Sequence, residues 1–151
     1  MNTLIVYDSL YGNTEKIAKA IAKGIPEAKL INVSKTGSDS LKDIDLLIVG
    51  SPTQGGRPTQ ALQAFLEAIP NSSLKNTKVA AFDTRFSEKN SGLILKFIIK
   101  TFGYAADKIG QSLQEKGGKS IKAPEGFIVT GKSGPLLTGE LERANNWFSG
   151  A

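Results

Sequence analysis

The stretch Asp45-Leu46-Leu47-Ile48-Val49-Gly50 constrains this chain more than any other. Consecutive large aliphatic residues leave it no polar face, so it has to be covered from both sides, as a central strand of a parallel sheet is. Parallel strands need crossover connections, and the chain supplies them as repeated strand, loop, helix units. Leu4-Ile5-Val6 leads through a polar loop into Ile17, Ala18, Ile21, Ala22 and Ile25 at helical spacing, and Lys78-Val79-Ala80-Ala81-Phe82 opens a third such unit. The pattern predicts a parallel sheet with helices on both faces. In such sheets ligands sit outside the carboxyl ends of the strands.

Taken in order, a strand from Thr3 to Tyr7 precedes a helix from Asn13 to Lys23, which Gly24 and Pro26 terminate. A second strand runs from Lys29 to Val33, and the polar stretch from Ser34 to Asp43 reads as a loop with at most one helical turn. Thr59 is placed to cap a helix whose apolar face is Leu62, Phe65, Leu66 and Ile69, ending at Pro70. After the strand from Lys78 to Phe82, a polar loop is expected through Asp83 to about Ser91. From Gly92 to Phe102 the chain is apolar apart from a stripe bearing Lys96 and Lys100, which reads either as a core helix with exposed lysines or as a membrane-surface or partner-docking segment. A helix from Ala105 to Lys116 turns Ile109 and Leu113 inward. The fifth strand comes in pieces, Ser120-Ile121 and Gly126-Phe127-Ile128-Val129, interrupted by Pro124. Past Gly131, Gly134 and Pro135, Thr138 is placed to cap a last helix with Glu140 and Glu142 near its positive end and Leu141, Ala144 and Phe148 on one face.

With 151 residues and no linker or repeat, the chain reads as one domain, 1–151, able to bury roughly two-thirds of its unfolded surface. Its lack of cysteine and histidine removes disulfides, thiolate nucleophiles, sulfur-held clusters and imidazole chemistry. The net charge of +5 suits an acidic partner, nucleic acid or an anionic membrane. Its lysines are spread out and lack interleaved aromatics, so no nucleic-acid surface is expected. Neither a charged leader nor an apolar run of membrane-spanning length is seen, so a cytoplasmic location is the expectation.

The loop Tyr7-Asp8-Ser9-Leu10-Tyr11-Gly12-Asn13-Thr14-Glu15 suits a phosphate. The first amides of a helix have no internal acceptors and carry the positive end of its dipole, and Ser9, Asn13 and Thr14 add neutral donors. The plainer alternative is that Gly12 turns the chain and Asn13 or Thr14 caps the helix. A second loop, Ser51-Pro52-Thr53-Gln54-Gly55-Gly56-Arg57-Pro58, is rigid at its ends and free at its glycines. The third is Asp83-Thr84-Arg85-Phe86.

With these loops in place the chain resembles the flavodoxin-like, FMN-binding proteins. The matching stretches are residues 7–16, Gly50-Ser51-Pro52-Thr53 with Gly55-Gly56, Asp83-Thr84-Arg85-Phe86, and the closing Gly134-Pro135-Leu136 and Gly139-Glu140-Leu141-Glu142-Arg143-Ala144. The first is most similar to the phosphate loop of flavodoxin domains in A-type flavoproteins. The resemblance implies an α/β fold, a doubly wound five-stranded parallel sheet in the order 2-1-3-4-5, with FMN as cofactor. It implies that Ser9, Tyr11, Gly12, Asn13 and Thr14 wrap the phosphate, with Leu10 lending its amide. Ser51, Pro52, Thr53, Gln54 and Gly55 would border the ribityl chain and one ring edge, and Asp83, Thr84, Arg85 and Phe86 the other side. In this family a middle-loop peptide turns to bond N5–H of the half-reduced ring, a motion open to Gly55-Gly56.

Two departures from the family stand out. The middle loop has no aromatic residue, leaving Phe86 and Tyr11 as ring partners, and the chain is basic where carrier flavodoxins are acidic. Arg85 either sits by the pyrimidine edge, easing reduction, or points to solvent or pairs with Asp83. The expected role is electron transfer between a reductase and an acceptor, both unidentified. The alternatives are a flavoenzyme similar to menaquinone-dependent protoporphyrinogen dehydrogenases, suggested by the segment after Gly92, and a flavin-free binding module on the same fold. A phosphorylated receiver domain is excluded, because Gly50 and Ser51 stand where its aspartate is needed.

Overall fold

The computed structural model describes residues 1–37, 39–86, 92–94 and 103–149. Strands β1 (Thr3–Tyr7), β2 (Lys29–Asn32), β3 (Leu46–Pro52), β4 (Lys78–Phe86), β5 (Lys119–Ser120) and β6 (Glu125–Val129) form one parallel sheet. Its order is β2-β1-β3-β4, with β5 and β6 following one another along the far edge of β4. This is the flavodoxin-like order. Helices α1 (Asn13–Lys23), α2 (Gln60–Ala68), α3 (Ala105–Glu115) and α4 (Glu140–Asn145) flank it.

The strand period of two sorts the core into two halves. Leu4, Val6, Leu47, Val49, Val79 and Ala81 face Leu62 and Leu66 of α2 and Ile109 and Leu113 of α3. Ile5, Tyr7, Leu46, Ile48, Ala80 and Phe82 face Ile17, Ala18 and Ile21 of α1 and Ala144 of α4. On that second face Phe82, Phe127 and Trp147 meet edge to face, with ring centres 6.1–6.3 Å apart. Gly50 is required here, since a Cβ on it would fall 2.0 Å from the Phe82 ring.

The edge strand is split, as the proline predicts. Val79 pairs with Ser120 and Phe82 with Glu125, so residues 121–124 stand opposite only Ala80 and Ala81. Pro124 has no amide to give the ladder, and the surplus residues leave it there.

Three expectations need correction. Residues 83–86 continue β4 instead of forming a loop, in register with β6 throughout and with β3 as far as Thr84, and Asp83 and Arg85 satisfy one another within the sheet's cover. The cap of α4 is Gly139, at φ +94°, and not Thr138. Leu141 is exposed, and the buried residue at that helix's start is Glu140, which accepts the Ile128 amide and pairs with Arg143. The apolar segment from Gly92 to Phe102, with Lys96 and Lys100, lies outside the described residues apart from 92–94, as does the polar loop 87–91.

Candidate functional site

The carboxyl ends of β1, β3 and β4 converge on a cleft of about 280 Å³. Its wall contains Leu10, Tyr11, Asn13 and Thr14 from the first loop, Pro52, Thr53, Gln54, Gly55 and Gly56 from the second, and Thr84, Arg85 and Phe86 from β4. Tyr104, Val129 and Lys132 complete it.

The first corner is built on Asp8 and Ser9. One carboxylate oxygen of Asp8 accepts the Ser9 amide at 2.9 Å, and the other accepts the Thr59 hydroxyl, which ties the loop to the start of α2. Ser9 Oγ accepts the amides of Gly12 (3.1 Å) and Glu15 (3.3 Å). With its lone pairs so engaged, its O–H is directed away as a donor. Gly12 caps α1 at φ +91°, in the left-handed region, and offers no side-chain cap. Asn13 and Thr14, expected as possible caps, are instead the first helical residues. Among the described residues their amides have no acceptor, and they carry the positive end of α1. Thr14 Oγ1 bonds Thr84 Oγ1 at 2.8 Å, closing the corner against β4.

The second loop is a tight hairpin. Gln54 and Arg57 exchange amide and carbonyl at 2.8 and 3.0 Å across Gly55 and Gly56, both at positive φ, as this kind of turn requires. Ser51 is fully buried behind it, donating to the Pro52 carbonyl and accepting the Thr59 amide.

The third wall alternates. Thr84 faces α1, whereas Asp83 and Arg85 face α3. Arg85 grips Asp83 through Nε (2.7 Å) and Nη2 (2.8 Å), and its guanidinium lies 3.5 Å over the Tyr104 ring. Gly126 makes room, since a Cβ there would fall 2.1 Å from the guanidinium. Asp83 also accepts the Ala106 amide at 2.9 Å and Thr53 Oγ1 accepts that of Ala105 at 3.0 Å, so β3 and β4 together cap α3. Burial pushes the Asp83 carboxyl above its ordinary range, against the pull of Arg85, the Ala106 amide and Thr53.

Of the residues singled out beforehand, the structure brings Leu10, Tyr11, Asn13, Thr14, Pro52, Thr53, Gln54, Gly55, Thr84, Arg85 and Phe86 to one cleft. Ser9 and Gly12 support it from the loop beneath, and Ser51 and Asp83 are buried behind it. Arg85 takes the pairing alternative: its charge is held by Asp83 and is not free at the cleft. Tyr104, Val129 and Lys132 were not anticipated. Tyr104 is signalled only as an aromatic beside Gly103 at a helix start, and Lys132 only as a cation in the last loop on this edge of the sheet. Tyr104 adds a third aromatic side chain to the lining, beside Tyr11 and Phe86.

A sequence profile described as Flavodoxin matches residues 5–147, and the chain belongs to the flavodoxin family, whose general role is flavin-binding electron transfer. Relatives bear on this unevenly. A flavodoxin from Clostridium beijerinckii is 40% identical over 84 residues, covering 52% of this chain and 60% of that protein. Oxidised flavodoxin 1 from Bacillus cereus superposes with a TM-score of 0.75 over 97% of this chain and 94% of that one, at 21% identity. A flavodiiron core from Synechocystis sp. does so at 0.70 and 21% identity, over 96% of this chain and 33% of that one. The chain thus spans little more than half of the curated flavodoxin and a third of the flavodiiron core. Among the described residues no helix is long and apolar enough to cross a membrane.

Proposed function

We propose that the cleft binds FMN and that the protein carries electrons between a reductase and an acceptor in the cytoplasm. The observation that carries this reading is the pair of acceptor-free amides, Asn13 and Thr14, at the positive end of α1, in a cleft whose described lining includes no carboxylate. A phosphate dianion fits that corner, with the Ser9 hydroxyl as a further donor. Tyr11, Phe86 and Tyr104 suit a flat aromatic ring, and Pro52, Thr53 and the Gly55-Gly56 turn suit the chain between ring and phosphate. When bound, the flavin supplies the redox chemistry. The protein's part is to hold the phosphate, orient the ring and present its outer edge. Tyr11 and Phe86, 53% and 37% exposed, stand where a partner would approach.

The test is a visible absorption spectrum of the purified protein before and after adding FMN, with FMN fluorescence followed in parallel. Flavin absorption bands or quenching of added FMN are the expected result. A colourless sample that leaves FMN fluorescence unchanged contradicts the proposal and favours a flavin-free binding module.

A further inference from the structure

The last loop on this edge of the sheet brings a cation to the same cleft. Val129 bridges Leu136 in antiparallel fashion, Thr130 donates its amide and hydroxyl to the Pro135 carbonyl at 2.8 and 2.7 Å, and Leu137 donates to Ile128 at 2.9 Å. Residues 128–137 therefore form a small hairpin. Its tip is a turn closed by the Gly134 amide on the Gly131 carbonyl at 3.1 Å, with Lys132 as the first central residue. The tip is pressed onto the start of α1: a Cβ on Gly134 would fall 2.8 and 2.9 Å from the side-chain amide of Asn13, and Gly134 sits at φ +107°. Lys132 is thus held within two residues of the atoms that touch Asn13, no more than about 7–8 Å along the chain. Lys132 lines the same cleft as Asn13 and Thr14.

Charge makes the placement informative. The described residues of the cleft wall include two cations, Arg85 and Lys132, and no carboxylate. Arg85 is neutralised by Asp83, whereas no ion pair holds Lys132 among the described residues.

We infer that Lys132 is a phosphate-binding residue, reaching over the Asn13–Thr14 corner to the dianion and selecting phosphorylated flavin over its unphosphorylated form. This rests on the FMN reading and extends it: the helix terminus grips one side of the phosphate, and the Lys132 hairpin covers the other. The backbone corner alone would hold the phosphate with neutral donors, so the lysine adds a contact sensitive to the ligand's charge.

Dissociation constants for FMN and riboflavin, measured by fluorescence quenching on the native protein, Lys132→Gln and Lys132→Arg, test this. The side chain is exposed, and thermal unfolding of each variant establishes that the fold is retained. The expected result is FMN binding weakened about tenfold in Lys132→Gln, riboflavin binding nearly unchanged, and most of the loss recovered in Lys132→Arg. Unchanged FMN binding in Lys132→Gln overturns the inference while leaving the FMN reading in place. Equal weakening of both ligands overturns it too, since the lysine would then act on the ring or on the fold. A native protein that binds neither flavin overturns the FMN reading and this inference together.

Discussion

Asp83 and Arg85 form the most exacting pair in the molecule. Asp83 is fully buried, and Arg85 satisfies both its oxygens while stacking on Tyr104. Replacing Arg85 with Gln strands a buried carboxylate that retains the Ala106 amide and Thr53 but no cation, and should cost about 2–4 kcal/mol. The cost should also depend on pH. Removing the cation pushes Asp83 further up, and a carboxyl whose folded value lies above its unfolded one loses stability as pH rises from the unfolded value through the folded one. Urea denaturation at about pH 4 and about pH 8 should therefore show a larger penalty at the higher pH; equal penalties would mean that Asp83 is not the group left unpaired. Ser9 poses a different test. Ser9→Ala removes the acceptor for the Gly12 and Glu15 amides, which should lower stability by about 1 kcal/mol, and also the directed hydroxyl, which should weaken FMN about tenfold. Calorimetry and flavin titration read the two effects separately, and intact FMN binding would remove Ser9 from the phosphate site. At this scale little was legible in the sequence. Thr14 meets Thr84 across 70 residues and Asp83 caps Ala106 across 23, and local periodicity carries no information about such pairs.

Elements were far more legible, because each is dictated by its own pattern. The spacing from Ile17 to Ile21 makes α1, the unbroken aliphatics of residues 46–49 make β3, and Pro124 marks the break between β5 and β6. The failures lie at element ends, where tertiary contacts decide. β4 runs on to Phe86 because β3 pairs with it as far as Thr84 and β6 as far as Phe86, and α4 starts at Glu140 because Gly139 adopts the left-handed conformation. That start is tied down electrostatically. Burial drives the Glu140 carboxyl upward, but hydrogen bonds from Arg143 and the Ile128 amide, with the Arg143 charge, outweigh it and hold the group below its usual range. A carboxylate lowered in this way stabilises the fold above its unfolded value and ceases to as pH falls through its folded value. Glu140→Gln should therefore cost about 1–2 kcal/mol at neutral pH, discounted for the half-exposed Arg143, and much less in acid. Chemical denaturation at both ends of that range checks it; a cost independent of pH would show that the carboxylate's charge is not what anchors α4.

Over the whole molecule, the parallel sheet explains why loops far apart in sequence share one site. Every strand end that points the same way delivers its loop to the same edge, so the convergence of the first three loops was readable from the strand, loop, helix repeat alone. The contribution of the last loop was not, since it depends on β6 lying against β4 and on a hairpin that returns to Asn13. The net charge of +5 is a property of this same scale and favours long-range attraction of acidic surfaces. What the proposed FMN site rests on at every one of these levels is the corner of acceptor-free amides at the start of α1, beside aromatic side chains. The most direct measurement of that corner is a side-by-side titration of the native protein with FMN and with riboflavin. FMN bound at least about a hundredfold more tightly is the predicted result; equal affinity for the two would contradict it.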